Sequence, residues 1–240
     1  MILLLDVGNT RVKWAWLDYV EVAPAGAVAH DATHRSWQSE IEADGHHPER
    51  IVASNVAGAA FAAALRQWAG SHFGLEPEFV IPAAAGFGVR NSYLTPAALG
   101  ADRWLGLVAA RRSSAAAACV VNSGTALSVD ALDGGGRHLG GFIVPGLQMM
   151  IDAHAELGPP TRWPAGTEFG ESVQDCAALL LSGLASRALD MLAAVTGGTP
   201  RCILTGGDAS LVAAGIAGPV EIVPDLVLTG LAICATARAP

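Results

Sequence analysis

Asp6-Val7-Gly8-Asn9-Thr10 decides the fold, because this glycine turn stands between two stretches with the pattern of β-strands. Residues 2–5 before it are all apolar, and residues 12–17 after it are mostly apolar. Short apolar runs on either side of a glycine turn are typical of two strands joined as a hairpin. The chain is therefore predicted to open with a strand, a tight turn and a returning strand.

The same order of strand, polar glycine turn and strand occurs a second time near the middle of the 240-residue chain. There, Cys119-Val120-Val121 leads into Asn122-Ser123-Gly124-Thr125-Ala126, and residues 127–130 continue as a strand candidate. Repetition of one structural unit indicates internal duplication. We therefore predict two lobes, residues 1–115 and residues 116–240.

Strand and helix candidates alternate along the rest of the chain. Residues 51–55 form a mostly apolar run, and the alanine-rich residues 57–73 favour a helix. Residues 201–204 and 226–237 show the same order of strand and helix. Such alternation is typical of an α/β protein.

Composition and charge exclude several classes of protein. The chain is 52% hydrophobic and 15% charged, as expected of a globular protein and not of a disordered one. Its net charge of −8 argues against a nucleic-acid partner, because such binding depends on clustered Lys and Arg. The four cysteines are far apart and predict neither a zinc site nor disulfides, and no apolar run predicts a membrane span. We expect a cytoplasmic protein.

A third glycine turn, Leu204-Thr205-Gly206-Gly207-Asp208, also follows a strand candidate. Glycine lets the backbone approach a ligand closely, and inward-facing N–H groups bind phosphate without a lysine. Asp6 at a strand end could hold Mg²⁺, and the hydroxyls of Thr10 and Thr125 could donate to phosphate oxygens. Each turn taken singly is also compatible with an ordinary hairpin. The P-loop and dinucleotide-binding glycine patterns are absent from the sequence, so the three turns together predict a phosphate site of another kind.

A second motif, Gly100-Ala101-Asp102-Arg103, follows Tyr93 and lies near a predicted helix start. The carboxylate of Asp102 could accept a proton from a substrate hydroxyl, and the guanidinium of Arg103 could pair with a substrate carboxylate. An Asp-Arg dipeptide on a helix is also compatible with a surface ion pair. Gly100, which permits close approach of a ligand, favours the binding interpretation.

Four segments of the sequence together resemble type III pantothenate kinases. They are Asp6-Val7-Gly8-Asn9-Thr10-Arg11, residues 91–104, Gly140-Gly141-Phe142-Ile143-Val144-Pro145-Gly146-Leu147 and Leu204-Thr205-Gly206-Gly207-Asp208. The resemblance implies an α/β protein with the actin/sugar-kinase/Hsp70-like fold, in which two ribonuclease-H-like lobes surround a nucleotide cleft. It also implies a homodimer that uses ATP to phosphorylate the terminal hydroxyl of pantothenate, the first step of coenzyme A synthesis. Mg²⁺ and a monovalent cation, potassium or ammonium, are the implied cofactors.

The same resemblance assigns roles to individual residues, with Asp102 as the general base. The implied pantothenate contacts are Tyr93, Gly100, Ala101, Asp102, Arg103 and Val173. The implied nucleotide contacts are Asp6, Val7, Gly8, Asn9, Thr10, Arg11, Asn122, Gly124, Thr125, Gly206 and Gly207. Asp6 is also the implied magnesium ligand, and Asp130 is the implied ligand of the monovalent cation.

Two positions depart from the family pattern. Asn122 stands where the family has Asp in its second turn, and Val173 aligns with a Thr that contacts pantothenate. One hypothesis is a working pantothenate kinase, favoured by the intact Asp6, Asp102 and Arg103. The alternative is a catalytically weakened regulatory protein similar to the Bvg accessory factor of the same family. A kinase of the same superfamily that acts on a sugar or acetate is a third hypothesis, which the motif around Asp102 fits less well.

Overall fold

The first apolar run of the sequence forms the central strand of a five-stranded sheet in the computed structural model. This strand, β1 (Ile2–Val7), pairs antiparallel with β2 (Arg11–Asp18) and parallel with β4 (Arg50–Asn55). β3 (Glu21–Ala29) lies outside β2, and β5 (Glu78–Phe79) lies outside β4, so the strand order is β3-β2-β1-β4-β5. The predicted opening hairpin is confirmed.

Two helices cover one face of this sheet, α1 (Ser36–Ala43) and α2 (Ala59–Phe73). Side chains of a strand alternate between its two faces, and those of Leu3 and Leu5 join the core formed with these helices. Leu4 points to the opposite face and is also fully buried. β1 is therefore covered on both sides, which explains why its sequence is continuously apolar.

The segment after β5 leads to the helix that carries the Asp-Arg motif. It contains two short strands, β6 (Ala85–Gly86) and β7 (Val89–Arg90), and a 3₁₀ turn at Pro96–Ala98. The helix α3 (Ala101–Ser113) begins directly after Gly100, and most of its residues are buried. The motif therefore lies in the first turn of a core helix.

The second half of the chain forms another five-stranded sheet. Its strands are β8 (Ala118–Ser123), β9 (Ala126–Leu132), β10 (His138–Pro145), β11 (Arg201–Thr205) and β12 (Val220–Ile222). Their order is β10-β9-β8-β11-β12, with β8 antiparallel to β9 and parallel to β11. This order repeats that of the first sheet, so the predicted duplication is confirmed.

Three further helices accompany this second sheet: α4 (Leu147–Ala155), α5 (Val173–Thr196) and α6 (Ala209–Ala213). Leu181 on α5 and Leu147 on α4 are buried in one core with the apolar residues of β8, β9 and β11.

The structure describes residues 1–30, 36–155 and 173–237, which divide into two compact units. One unit is Met1–Ser113 together with the chain from Asp225 onward, and the other is Ser114–Pro224. The predicted division after residue 115 placed the closing helix α7 (Leu226–Thr236) in the second lobe. In the structure, α7 packs against α3 and β1 of the first unit. Gly230 permits this packing, because a Cβ there would collide with the carbonyl oxygen of Leu105.

The long helix α5 has an apolar surface. Among the described residues, its stretch from Asp175 to Thr196 is the single helix long and apolar enough to cross a membrane. Length and composition are weak indications of a membrane span, because a core or interface helix of a globular protein has the same properties. Leu179, Leu180 and Met191 are each more than half exposed on this helix.

Candidate active site

Asp6 lies at the carboxyl end of β1, directly across the sheet from Lys13 on β2. Its pKa is raised from 3.8 to about 7, and burial is the largest cause. The negative charges of Asp102 and Asp225 raise this pKa further, while the ammonium of Lys13 lowers it. Asp6 therefore lies in acidic surroundings within the first unit. A bound cation would stabilise the negative charge of its carboxylate.

The turn after Asp6 is closed by backbone hydrogen bonds. The N–H of Gly8 donates to the carbonyl of Arg11 at 3.0 Å, and His30 contacts the turn from the end of β3, with Nε2 2.8 Å from the Gly8 carbonyl oxygen. Asn9 and Thr10 at the tip are exposed. The predicted turn thus presents two polar residues to a ligand at the carboxyl ends of β1 and β4, the usual edge for ligand binding in such sheets.

Asp102 lies in the first turn of α3, and its carboxylate bends back toward the backbone. Its Oδ1 accepts a hydrogen bond of 2.8 Å from the N–H of Arg103. A Cβ built on Gly100 would lie 2.6 Å from the same oxygen, closer than real Cβ contacts. The glycine before the helix is therefore needed for this position of the carboxylate.

Arg103 is only 7% exposed, so the interpretation of the motif as a solvent-exposed ion pair is wrong. Its Nη1 donates to the hydroxyl of Tyr93 at 3.0 Å. Asn91 fixes that tyrosine in turn, because its Oδ1 accepts from the N–H of Tyr93 and its Nδ2 donates to the Pro96 carbonyl. The structure thus brings together Tyr93 and Arg103, two predicted substrate residues that lie on either side of Pro96 in the sequence.

A cavity of about 340 Å³ adjoins Gly100 and Ala101. Its other walls include Val56 after β4, Phe79 on β5 and Leu99. A cavity of this size that is lined mostly by apolar residues is typical of a site for a small molecule.

The other two glycine turns lie side by side in the second unit. β8 and β11 run parallel with Asn122 opposite Thr205, so both turns follow at the same edge of the sheet. The N–H of Asp208 donates to the Ser123 carbonyl at 3.1 Å. Gly206 has a φ of +97°, and a Cβ there would collide with the same carbonyl and lie 2.9 Å from Oδ1 of Asn122. This close approach of the two turns requires glycine.

Gly146, from the segment that resembles the family, contacts the second turn as well. Its N–H donates to the Thr125 carbonyl at 3.1 Å, and a Cβ would collide with the Gly124 carbonyl. The backbone of the segment after β10 therefore supports the turn that carries Thr125.

Asp130 does not lie in the second turn. It is in the middle of β9, is 2% exposed, and its Oδ1 is 2.9 Å from Nε2 of His138, which is equally buried. A cation arriving from solvent has no access to this carboxylate, so Asp130 does not fit the predicted ligand of the monovalent cation.

Val7 and Val173 are two further predicted ligand contacts. The side chain of Val7 is fully buried in the core and its carbonyl accepts from the N–H of Val56, so Val7 offers a ligand neither group. Val173 is the first residue of α5, but its side chain lies outside the described part of the structure.

Three residues near the site were missed by sequence reasoning. Lys13 lies beside Asp6, and its Nζ is 3.8 Å from Oδ1 of Asp225, the residue before α7. The strand pairing of the predicted hairpin could have indicated Lys13. No local signal connects Asp225 or His30 with the first turn, because both reach it through tertiary structure.

Comparison with known proteins identifies a family. The family model for type III pantothenate kinase matches residues 2–157. A type III pantothenate kinase of Nitrosococcus oceani is 36% identical over 254 residues, which cover 97% of this chain and 92% of that protein. Another, from Azoarcus sp., is 38% identical over 250 residues, which cover 100% of this chain and 92% of that protein.

A solved structure with low sequence identity confirms the fold. The activator of the 2-hydroxyisocaproyl-CoA dehydratase from Clostridium difficile, solved with bound ADPNP, superimposes with a TM-score of 0.53 at 12% identity. The match covers 98% of this chain and 93% of that chain. Together with the repeated strand order, it gives the actin/sugar-kinase/Hsp70-like fold predicted above. By its sequence over nearly its whole length, the chain belongs to the type III pantothenate kinase family.

Proposed function

We propose that this protein transfers the γ-phosphoryl group of ATP to the terminal hydroxyl of pantothenate, giving 4′-phosphopantothenate for coenzyme A synthesis. The observation that carries the proposal is the arrangement of Asp102, Arg103 and Tyr93 around Gly100 at the start of α3, in a chain that belongs to this kinase family. The intact arrangement favours a working enzyme over a regulatory protein.

On the acceptor side, Asp102 orients the hydroxyl of pantothenate and takes its proton. An ordinary aspartate has a pKa near 3.9, far below that of an alcohol, so proton transfer is late in the loose transition state of phosphoryl transfer. Positioning therefore contributes more than basicity. Gly100 keeps the carboxylate in place, and the hydrogen bond from the Arg103 N–H fixes the position of one of its oxygens.

The rest of the acceptor is recognised by charge and by shape. We assign its carboxylate to Arg103, whose guanidinium pairs well with carboxylates and is oriented here by Tyr93. Its apolar portion suits the cavity beside Gly100, which Val56 and Phe79 line in part.

On the donor side, backbone N–H groups and hydroxyls bind the phosphates. In the first unit, this role is assigned to Gly8, Asn9 and Thr10. In the second unit, it is assigned to Gly124 and Thr125, with Gly206 and Gly207 nearer the nucleoside. Such turns bind phosphate through the fixed partial charges of backbone N–H groups. This kind of site needs no lysine-rich surface, so it is compatible with the net charge of −8.

Asp6 fits a magnesium ion. The residue is partly exposed and its carboxyl lies in acidic surroundings, and Mg²⁺ is commonly held by one or two carboxylates, water and substrate phosphates. No cluster of three or more metal-binding side chains occurs among the described residues, so Asp6 would act with water and phosphate oxygens. When bound, Mg²⁺ would neutralise charge on the phosphates of ATP.

A requirement for potassium or ammonium is also part of the proposal, although the buried Asp130 does not fit the role. Comparing the rate in potassium, ammonium and sodium salts at equal ionic strength tests the requirement. An equal rate in all three salts would remove it.

We also propose a homodimer in which α5 packs against a second copy. Leu179 and Leu180 are exposed on this helix, and together with Gly183 they line an apolar groove of about 440 Å³. Leu180→Glu should shift the molecular mass measured by light scattering from dimer to monomer. A wild-type protein that is monomeric at micromolar concentration would contradict the proposal.

The substrates also suggest where the protein acts. ATP and a soluble acid as substrates support a cytoplasmic location.

The test of the catalytic proposal is ADP release by the purified protein with Mg²⁺ and ATP, measured with and without pantothenate. We expect ADP release to depend on pantothenate, with 4′-phosphopantothenate identified by mass spectrometry. Folded protein that releases no ADP in response to pantothenate would overturn the proposal.

A further inference from the structure

His30, directly after β3, is bound to the first glycine turn by two hydrogen bonds. Its backbone N–H donates to the carbonyl of Thr10 at 2.9 Å, and its ring Nε2 lies 2.8 Å from the carbonyl oxygen of Gly8. The side chain thus reaches the turn across 22 residues of sequence. Neither contact belongs to the motif by which the sequence resembles its family.

The contact with the Gly8 carbonyl fixes which ring nitrogen of His30 donates. A carbonyl oxygen only accepts hydrogen bonds, so Nε2 carries the proton and donates it. The other ring nitrogen, Nδ1, is buried without a hydrogen-bond partner among the described residues. The ring packs against Phe61, with their centroids 4.8 Å apart. The ring of His30 is therefore also held by packing against the core of the first unit.

This hydrogen bond also orients the amide that follows. A trans peptide is planar, so the carbonyl of Gly8 and the N–H of Asn9 point in opposite directions. Because the carbonyl points to His30, the N–H of Asn9 points away from it. The neighbouring carbonyl of Arg11 is already occupied by the N–H of Gly8. The carbonyls of Gly8, Thr10 and Arg11 thus accept hydrogen bonds within the protein, while the amide of the exposed Asn9 points outward, away from His30.

We propose that His30 is a positioning residue of the phosphate turn, which fixes the outward amide of Asn9 for a phosphate oxygen by holding the Gly8 carbonyl. This inference rests on the proposed function, because it needs a nucleotide phosphate at this turn. His30 itself touches no substrate. It acts through the peptide bond between Gly8 and Asn9. Its loss should therefore weaken the binding of nucleotide and leave the binding of pantothenate unchanged.

The experiment compares two substitutions with a matched control. His30→Phe keeps an aromatic ring against Phe61 but has no donor, and His30→Gln keeps an N–H donor at a similar reach. His47→Phe is the control, because His47 also packs on an aromatic ring, Phe73, but lies in an exposed loop. The dissociation constant of Mg·ATP by calorimetry, both KM values, kcat and the melting temperature are measured for each variant.

We expect His30→Phe to raise the dissociation constant and the KM for ATP about 3- to 10-fold, as for loss of one hydrogen bond. The KM for pantothenate should stay unchanged, His30→Gln should recover most of the affinity, and His47→Phe should bind ATP as the wild type does. Equal losses in His30→Phe and His30→Gln, or no loss in either, would overturn the inference.

A measurement on the wild type keeps the inference testable if His30→Phe does not fold. Hydrogen exchange of the Asn9 amide should slow when Mg·ATP is added. Wild-type protein that binds Mg·ATP without protecting Asn9 would overturn the inference and leave the proposed function standing. Wild-type protein that binds no ATP would overturn both.

Discussion

Replacing Gly100 by alanine is the sharpest test of how the structure places the acceptor carboxylate. The new Cβ would lie 2.6 Å from Oδ1 of Asp102, whereas ordinary contacts begin at 3.4 Å. The backbone of Gly100 does not have a positive φ, so alanine fits the main chain and the strain falls on the Asp102 side chain. The carboxylate must withdraw by about 0.8 Å or rotate, and a displacement near 1 Å costs roughly 100-fold in rate.

The assay is pantothenate-dependent ADP release at saturating concentrations of both substrates, with the melting temperature as the measure of folding. We expect kcat to fall about 100-fold while the melting temperature changes little. Gly70→Ala is the matched control, because Gly70 lies on α2 with nothing within 4 Å of its Cβ position. It should keep full activity. Full activity of Gly100→Ala as well would refute the reasoning.

Three further predictions concern single side chains. Asp102→Asn should lower kcat about 10²- to 10⁴-fold without unfolding the protein, and an unchanged kcat would remove its role as proton acceptor. The pKa of Asp6 is raised from 3.8 to about 7. Between these two pH values, the folded protein keeps a proton on Asp6 that the unfolded chain has released. Without Mg²⁺, the melting temperature should therefore fall as the pH rises from 4 to 7. In Asp6→Asn, the part of this fall that comes from Asp6 should be missing. Parallel curves of melting temperature against pH for the two proteins would contradict the raised pKa of Asp6. Asp44→Ala removes the acceptor of the indole N–H groups of Trp14 and Trp16, at 2.8 and 2.9 Å, and should cost about 2 kcal/mol in urea unfolding. An unchanged urea midpoint would show that these bonds contribute nothing.

The sequence predicted those parts of the fold that depend on local pattern. The run of apolar residues before Asp6 and the glycine turn after it are enough to define β1 and its hairpin, since strand periodicity and turn chemistry are both local. The same holds for the second turn at Asn122, and comparison of the two turns predicted the duplication. The Gly100 motif was also correctly placed at a helix start.

The features that the sequence did not predict depend on tertiary contacts. Asp225 and His30 reach the first turn from distant parts of the chain, and neither lies in a recognisable motif. The resemblance implied Asp130 as a cation ligand, because it follows the second turn where the family often has an acidic residue. Successive side chains on a strand alternate between faces, however, so nearness in sequence does not place a side chain at the strand end, and Asp130 is paired with His138 inside the sheet.

The position of α7 has a consequence for how the protein is made. The first unit is discontinuous in sequence, because its core includes a helix that begins at Leu226, whereas the second unit is one continuous stretch. During translation, the residues that α3 and β1 bury against α7 stay exposed until α7 has left the ribosome. Ser114–Pro224 is continuous, so all the residues of its core have been synthesised before α7, and the discontinuous first unit is the one that completes its core later.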